Sequence, residues 1–246
     1  MSQTATRGPG GGQAAVPAGL VTAVVDLVGT GPVLLGAYTI AELTAVDAIV
    51  DFLEARPPEE AIAEAVRSLA ARQLLIAGTA DGQVQVRGDL GIAVAFQQRA
   101  RLVLDARATG TEPGEPWRIL LLPQREPICL IVRIDALGVH ELGLYQTTDA
   151  LDRLTRWLPG GELAERADTS PDDVIAGAER SALVTVTRYT STGSAEIAGN
   201  SEDLVLARRS GALHAFARTG NGQESQLVRR RLHGNGVRDT IAEMLT

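Results

Sequence analysis

The sequence predicts an α+β fold of two quasi-symmetric halves, each a four-stranded antiparallel sheet with covering helices, preceded by a helical, winged-helix-like segment. The first observation behind this is an internal repeat. Residues 99–110, RARLVLDARATG, are echoed by 180–193, RSALVTVTRYTSTG. Residues 117–134, WRILLLPQREPICLIVRI, are echoed by 203–219, DLVLARRSGALHAFART, and 140–158 by 225–245. A long repeat of this kind implies packed half-domains. The second observation is that each copy reads strand, loop, strand, tight turn, strand, loop, strand, helix. The third is a set of helix start and stop signals upstream of the repeat. The expected organisation is a tail over 1–16, a helical segment with a β-hairpin over 17–98, a first-half sheet and helix over 99–161, and a second-half repeat over 162–246, together one compact domain.

Taken in order, residues 1–16 are rich in Gly, Ala and Pro and read as a disordered tail. No apolar stretch follows a basic start, so a signal peptide is not expected. Residues 20–28 are apolar without a clear period and fit either a helix or a strand. Thr39 and Glu42 form a capping box for a helix over 40–55, with Leu43, Val46, Ile49, Val50 and Leu53 on one face. Pro57-Pro58 ends it and opens a second helix over 58–72. Its acids, Glu59 and Glu60, lie in the first turn and its bases, Arg67 and Arg72, near the end. Residues 74–77 and 84–87 flank an Asp81-Gly82 hairpin turn, and 90–98 form a short helix.

Within the repeat, 102–106 and 183–187 open the two halves. Hairpins turn at 124–126 and 209–211, and helices follow over 148–158 and 236–245. Between the copies, 163–167 and 171–179 read as two short helices, the second capped by Ser170.

Composition narrows the function. The chain is 45% hydrophobic and 22% charged, which is ordinary for a globular protein. All 23 cationic side chains are arginine, a coding bias rather than a site. The formal charge of -7 opposes nucleic-acid binding, which needs a basic face. Cys129 lies in the apolar run ICLIVRI and reads as a buried small hydrophobe; a lone cysteine permits no internal disulfide and fits a cytoplasmic location. No run of about 18 apolar residues is present, so membrane insertion is not expected.

Chemistry-bearing motifs are few. His140, His214 and His233 have no metal-ligand spacing and read as surface or edge-strand residues. Without lysine no phosphate-binding P-loop can form, and no GxSxG or ordered triad is present. Asp168, Asp172 and Asp173 read as helix capping. The chain is therefore expected not to be an enzyme, with no cofactor and no metal site. The helix, helix and hairpin over 40–87 outline a winged helix, but its second helix offers Arg67, Arg72 and Gln73 against Glu59, Glu60 and Glu64.

Two segments read as long exposed loops able to bind a partner. One is Thr109, Gly110, Thr111, Glu112, Pro113, Gly114, Glu115 and Pro116; the other spans 190–202. Arg229 and Arg231 would share one face of a strand, either to bind an acidic partner or to protect a strand edge.

The order of elements over about residues 38–246 resembles the EspG family, cytosolic chaperones of type VII (ESX) secretion in actinobacteria. The resemblance rests on SLAARQLLIAGTADGQVQV, then RLVLDARATG, a variable loop, WRILLLPQREPICLIVRI and TTDALDRLTRWL, repeated as LVTVTRYT, LVLARRSGALHAFART and VRDTIAEML. It implies a non-enzymatic chaperone or adaptor that binds the helical tip of a secreted client of PE/PPE or WXG-like type and keeps it soluble. It also implies that 109–116, the central sheet and the C-terminal helix make the contact, with residues 20–28 or 33–38 as the opening strand. The alternatives are a winged-helix DNA-binding regulator and a structural subunit of a larger assembly.

Overall fold

The computed structural model describes residues 16–48, 56–78, 84–164, 170–192, 195–219, 226–234 and 236–246. The expected tail lies, apart from Val16, outside them. Residues 20–28 resolve as helix, α1 (Ala18–Thr30), which turns Val21, Val24 and Val28 inward at helical spacing. The opening strand is β1 (Val33–Thr39).

The capping box predicted at Thr39 is present. The Thr39 Oγ1 accepts from the Glu42 N–H at 3.2 Å, and the Glu42 Oε2 accepts from the Thr39 N–H at 3.0 Å. The helix it starts, α2 (Ile40–Ala45), is far shorter than the expected 40–55. It stops because Asp47 adopts a left-handed φ of 54°, so that the Ala48 N–H donates to Leu43 O and the Asp47 N–H to Thr44 O. This is the Schellman arrangement, with aspartate where glycine is usual. Residues 49–55, which include Ile49, Val50 and Leu53, lie outside the described residues. Helix α3 (Glu59–Ala71) ends the same way at Gln73. Strands β2 (Leu75–Ala77) and β3 (Val84–Val86) pair antiparallel; the Asp81-Gly82 turn lies outside the described residues. Helix α4 (Gly88–Arg99) leads into the sheet.

The repeat folds as two meanders. The first is β4 (Leu102–Thr109), β5 (Arg118–Pro123), β6 (Ile128–Ile134) and β7 (Val139–Gln146), followed by α5 (Thr147–Trp157). After β8 (Glu162–Leu163) and α6 (Pro171–Ala176), the second is β9 (Arg180–Thr192), β10 (Ala195–Arg209), β11 (Ala212–Thr219) and β12 (Gln226–Arg229), followed by α7 (Val237–Met244). The β10–β11 turn is two residues, Ser210 and Gly211, with φ of 51° and 78°, as a primed hairpin turn requires.

Three expectations are corrected. The helix expected over 163–167 does not begin at Leu163: Glu162–Leu163 is a strand parallel to β11, whose edge supplies the partner, and residues 165–167 and Asp168 lie outside the described residues. Of the loop expected over 190–202, residues 190–192 and 195–202 are strand instead, because β9 and β10 stay paired out to Thr192↔Ala195, with a register shift between Ala198 and Ser201; residues 193–194 lie outside the described residues. The equation of 102–106 with 183–187 is out of phase with the pleat. Leu102 packs with the core under α5 and α7, whereas Leu183 packs under α6 on the opposite face.

The two meanders join into one ten-stranded sheet, β1-β7-β6-β5-β4-β9-β10-β11-β12, with β8 beside β11. The junction is the antiparallel β4–β9 pair, from Leu102↔Arg188 to Thr109↔Ser181, which removes the open edge of both strands. The molecule is thus mixed α+β, with a large and mainly antiparallel sheet and seven helices among the described residues.

One face carries α1–α4 over Leu120, Leu130, Val132 and Leu144, and farther along it α6 over Val205 and Phe216. The other carries α5 and α7 over Leu104, Ala106, Leu121, Val184 and Leu206. Between α4 and α6 the first face is polar. The Arg118 side chain, 3% exposed, donates from Nε and Nη2 to Asp105 at 2.8 and 2.9 Å, and Thr185 donates to Asp203 at 2.7 Å. No helix among the described residues is long and apolar enough to cross a membrane.

Candidate partner-binding groove

Helix α5 follows β7 without a connecting loop and folds back over β5 and β6, burying Ala150, Leu151, Leu154 and Trp157. Beyond it, on the outermost strand β1, Leu34 and Gly36 are exposed. A cavity of about 340 Å³ lies along α5, floored by Ile119, Leu121, Ile131 and Tyr145 and walled by Gly114, Glu115 and Pro116. A second, of about 350 Å³, continues towards β1, between Leu34, Gly36, Gly143 and Tyr145. Ile131, Arg133 and Tyr145 line both. The floor is apolar, and Leu34 at its outer end is 73% exposed.

The rim is cationic. The Arg153 guanidinium lies 4.8 Å from the centre of the Tyr145 ring, a cation–π contact. Arg156 sits one turn on and donates to the Asp152 carbonyl. Neither pairs with a carboxylate among the described residues. The groove's own acids are engaged: Glu141 with Arg133 at 2.9 Å and Glu115 with Arg180 at 2.8 Å.

The loop over 109–116 is tied down on this wall. The Glu112 N–H donates to the Glu115 carboxylate at 3.1 Å; this bond and the Arg180 guanidinium hold the Glu115 carboxyl below the usual range. Arg180 also donates to the Trp157 carbonyl, and the Trp157 indole N–H donates to the Pro116 carbonyl at 3.0 Å. Of the predicted contact residues, Gly114, Glu115 and Pro116 line the groove. Thr109 shares a hydroxyl hydrogen bond with Ser181, and Gly110 backs onto the Glu179 carbonyl with φ of 68°, so both are structural. Thr111 is half-buried; Glu112 and Pro113 are exposed.

Arg229 and Arg231 lie elsewhere, at the β12 end, four strands from β4 and about 19 Å away by the usual interstrand spacing. The loop and the arginine pair therefore do not form one site. The sequence reading missed Ile131, Tyr145, Arg153 and Arg156. The one local signal was the pair of arginines three apart on α5, next to a strand-end tyrosine.

The remaining candidates resolve as structure. His140 and His214, read as surface or edge positions, are 2% and 9% exposed. His140 Nδ1 contacts the Gly138 carbonyl at 2.9 Å, and burial pushes its pKa down. His233 meets Glu243 at 3.0 Å. Cys129 is buried, and desolvation pushes its thiol up to about 12. On α3, Arg67 pairs with Glu64, and Arg72 with the buried Glu42, which also accepts from Ser68. Compared with known proteins, the chain matches no family model and aligns significantly with no curated protein.

Proposed function

We propose that this chain is a non-enzymatic chaperone or adaptor, of the kind serving type VII (ESX)-like secretion in the cytoplasm, that seats the helical tip of a secreted client in the groove beside α5. The observation that carries the reading is a groove with an apolar floor that runs out to the exposed Leu34 and is rimmed by Arg153 and Arg156, in a chain of net charge -7. A helix fits such a groove with an apolar stripe on the floor and acidic flanks on the rim. The same reading takes the two meanders as quasi-symmetric halves about the β4–β9 junction, where Asp105 faces Thr185. It treats α2, α3 and the β2–β3 hairpin as scaffold, because Arg67 and Arg72 are spent on carboxylates rather than left for phosphates.

The test is calorimetric titration of a purified helical PE–PPE-type heterodimer into the wild type, the L34E variant and the R153E/R156E variant. All three substituted side chains are exposed, so thermal stability should hold. Binding should weaken at least tenfold in each variant, about 1.4 kcal/mol. No binding by the wild type would end the client assignment, and equal binding by both variants would move the contact off this groove.

A further inference from the structure

The far edge of the sheet holds a second site of different chemistry. The outer edge of β11 is paired twice, with a gap between. β8 takes Ala212 and Leu213, ending with the Ala164 N–H donating to the Leu213 carbonyl at 2.9 Å. β12 takes Phe216 onward, ending with the Arg230 N–H on the Ala215 carbonyl at 2.9 Å. The ends of β8 and β12 converge on His214, and a notch of about 340 Å³ remains between them.

The notch is cationic and incompletely satisfied. Arg229 and Arg231 line it, both exposed, and neither pairs with a carboxylate among the described residues. Arg229 donates only to the neutral Ala164 carbonyl, at 3.2 Å. Arg230 contributes its backbone, since its guanidinium pairs with Glu202 at 2.7 Å. His214 forms the inner wall, stacked at 6° to the Phe216 ring, more than nine-tenths buried, with its Nδ1 lacking a partner among the described residues. Guanidinium groups line the notch, which disfavours a cation and favours a ligand with negative charge.

We propose that this notch binds the oxyanion of a small molecule, a phosphate or carboxylate group held by Arg229 and Arg231 beside the His214 ring. Arginine forks match the geometry of both anions, and apolar Leu163 and Ala164 would face the ligand's organic body. Burial and the neighbouring Arg229 and Arg209 lower the His214 pKa, so the positive charge in the notch comes from the arginines.

The experiment titrates inorganic phosphate and succinate separately into the full chain at constant ionic strength set with chloride. The readouts are the His214 imidazole nitrogen resonances and the thermal midpoint. At least one anion should shift the His214 signals saturably and raise the midpoint, as a ligand of the native state must. Response to phosphate alone assigns a phosphate group, and response to succinate alone a carboxylate. The R229Q/R231Q variant should keep its midpoint in chloride and lose at least tenfold in affinity. Silence of the His214 signals with both anions to about 20 mM, or undiminished binding by that variant, overturns the site.

Discussion

Removing the Asp105 carboxylate tests how much the buried ion pair in the polar middle of the sheet stabilises the fold. Asp105 lies on β4 opposite Thr185 of β9, and its two oxygens take the Nε and Nη2 donors of Arg118 at 2.8 and 2.9 Å. Arg107 adds a third contact at 3.1 Å. The Arg118 side chain is 3% exposed and that of Asp105 16%, so solvent screens the pair weakly. Asp105→Ala leaves a buried guanidinium without its fork partner, a loss of about 3–5 kcal/mol. A chain of this size loses roughly 2–4 °C per kcal/mol, so the midpoint should fall by about 6–20 °C. The assay is paired urea and thermal unfolding followed by circular dichroism and tryptophan fluorescence. Asp105→Leu with Arg118→Met, which removes both charges, should recover most of the loss. A single variant within about 1 kcal/mol of wild type would refute the reasoning, because a surface pair contributes no more than that.

Two further outcomes follow from buried titratable groups. The Cys129 thiol, buried and pushed up to about 12, should react with a disulfide reagent at neutral pH only as fast as the chain opens, with denaturant raising the rate in step with unfolding; immediate stoichiometric labelling would contradict its placement. His140 is held neutral by burial, so its folded pKa lies below the unfolded 6.5. The unfolded chain then takes up the proton first, and the stability that neutral His140 contributes is full above about pH 6.5 and lost as pH falls through the window below it. The His140→Asn substitution, which keeps a donor towards the Gly138 carbonyl but cannot titrate, should flatten that part of the stability–pH curve measured by urea unfolding.

The strands of the repeat were legible because WRILLLP and ICLIVRI are continuous apolar runs between turn signals. Their burial on both faces, with Leu120, Leu122, Leu130 and Val132 under α1–α4 and Leu121 and Ile131 on the other face, is what such runs predict. The capping box at Thr39 was legible for the same local reason. What failed was set by tertiary partners. Asp47 ends α2 by adopting a left-handed conformation that its neighbours do not announce. Residues 190–202 are rich in Ser, Thr and Gly and read as loop, yet each strand there has a partner within reach from the other. The pleat phase of β9 relative to β4 depends on which residues meet at the junction, and side-chain types alone left it one residue out.

The groove was less legible because it arises from a shortage of cover rather than from a motif. The main path of the sheet holds nine strands, about 38 Å across at the usual spacing. On the α5 and α7 face, two helices of roughly 10 Å each span about half of that width. Helix α5 lies over β5 and β6 and α7 packs against it, each following the last strand of its own meander. The repeat alone would leave β7 as the outer strand on one side. The N-terminal β1 adds one more strand beyond it, and with it Leu34, the most exposed apolar side chain on the groove. The exposed outer end of the groove, on β1, is therefore a consequence of the chain outside the repeat. On the reading proposed above, a client helix about 10 Å wide would make up that deficit, which is why the variants that discriminate best are at the rim and at Leu34 rather than in the loop over 109–116.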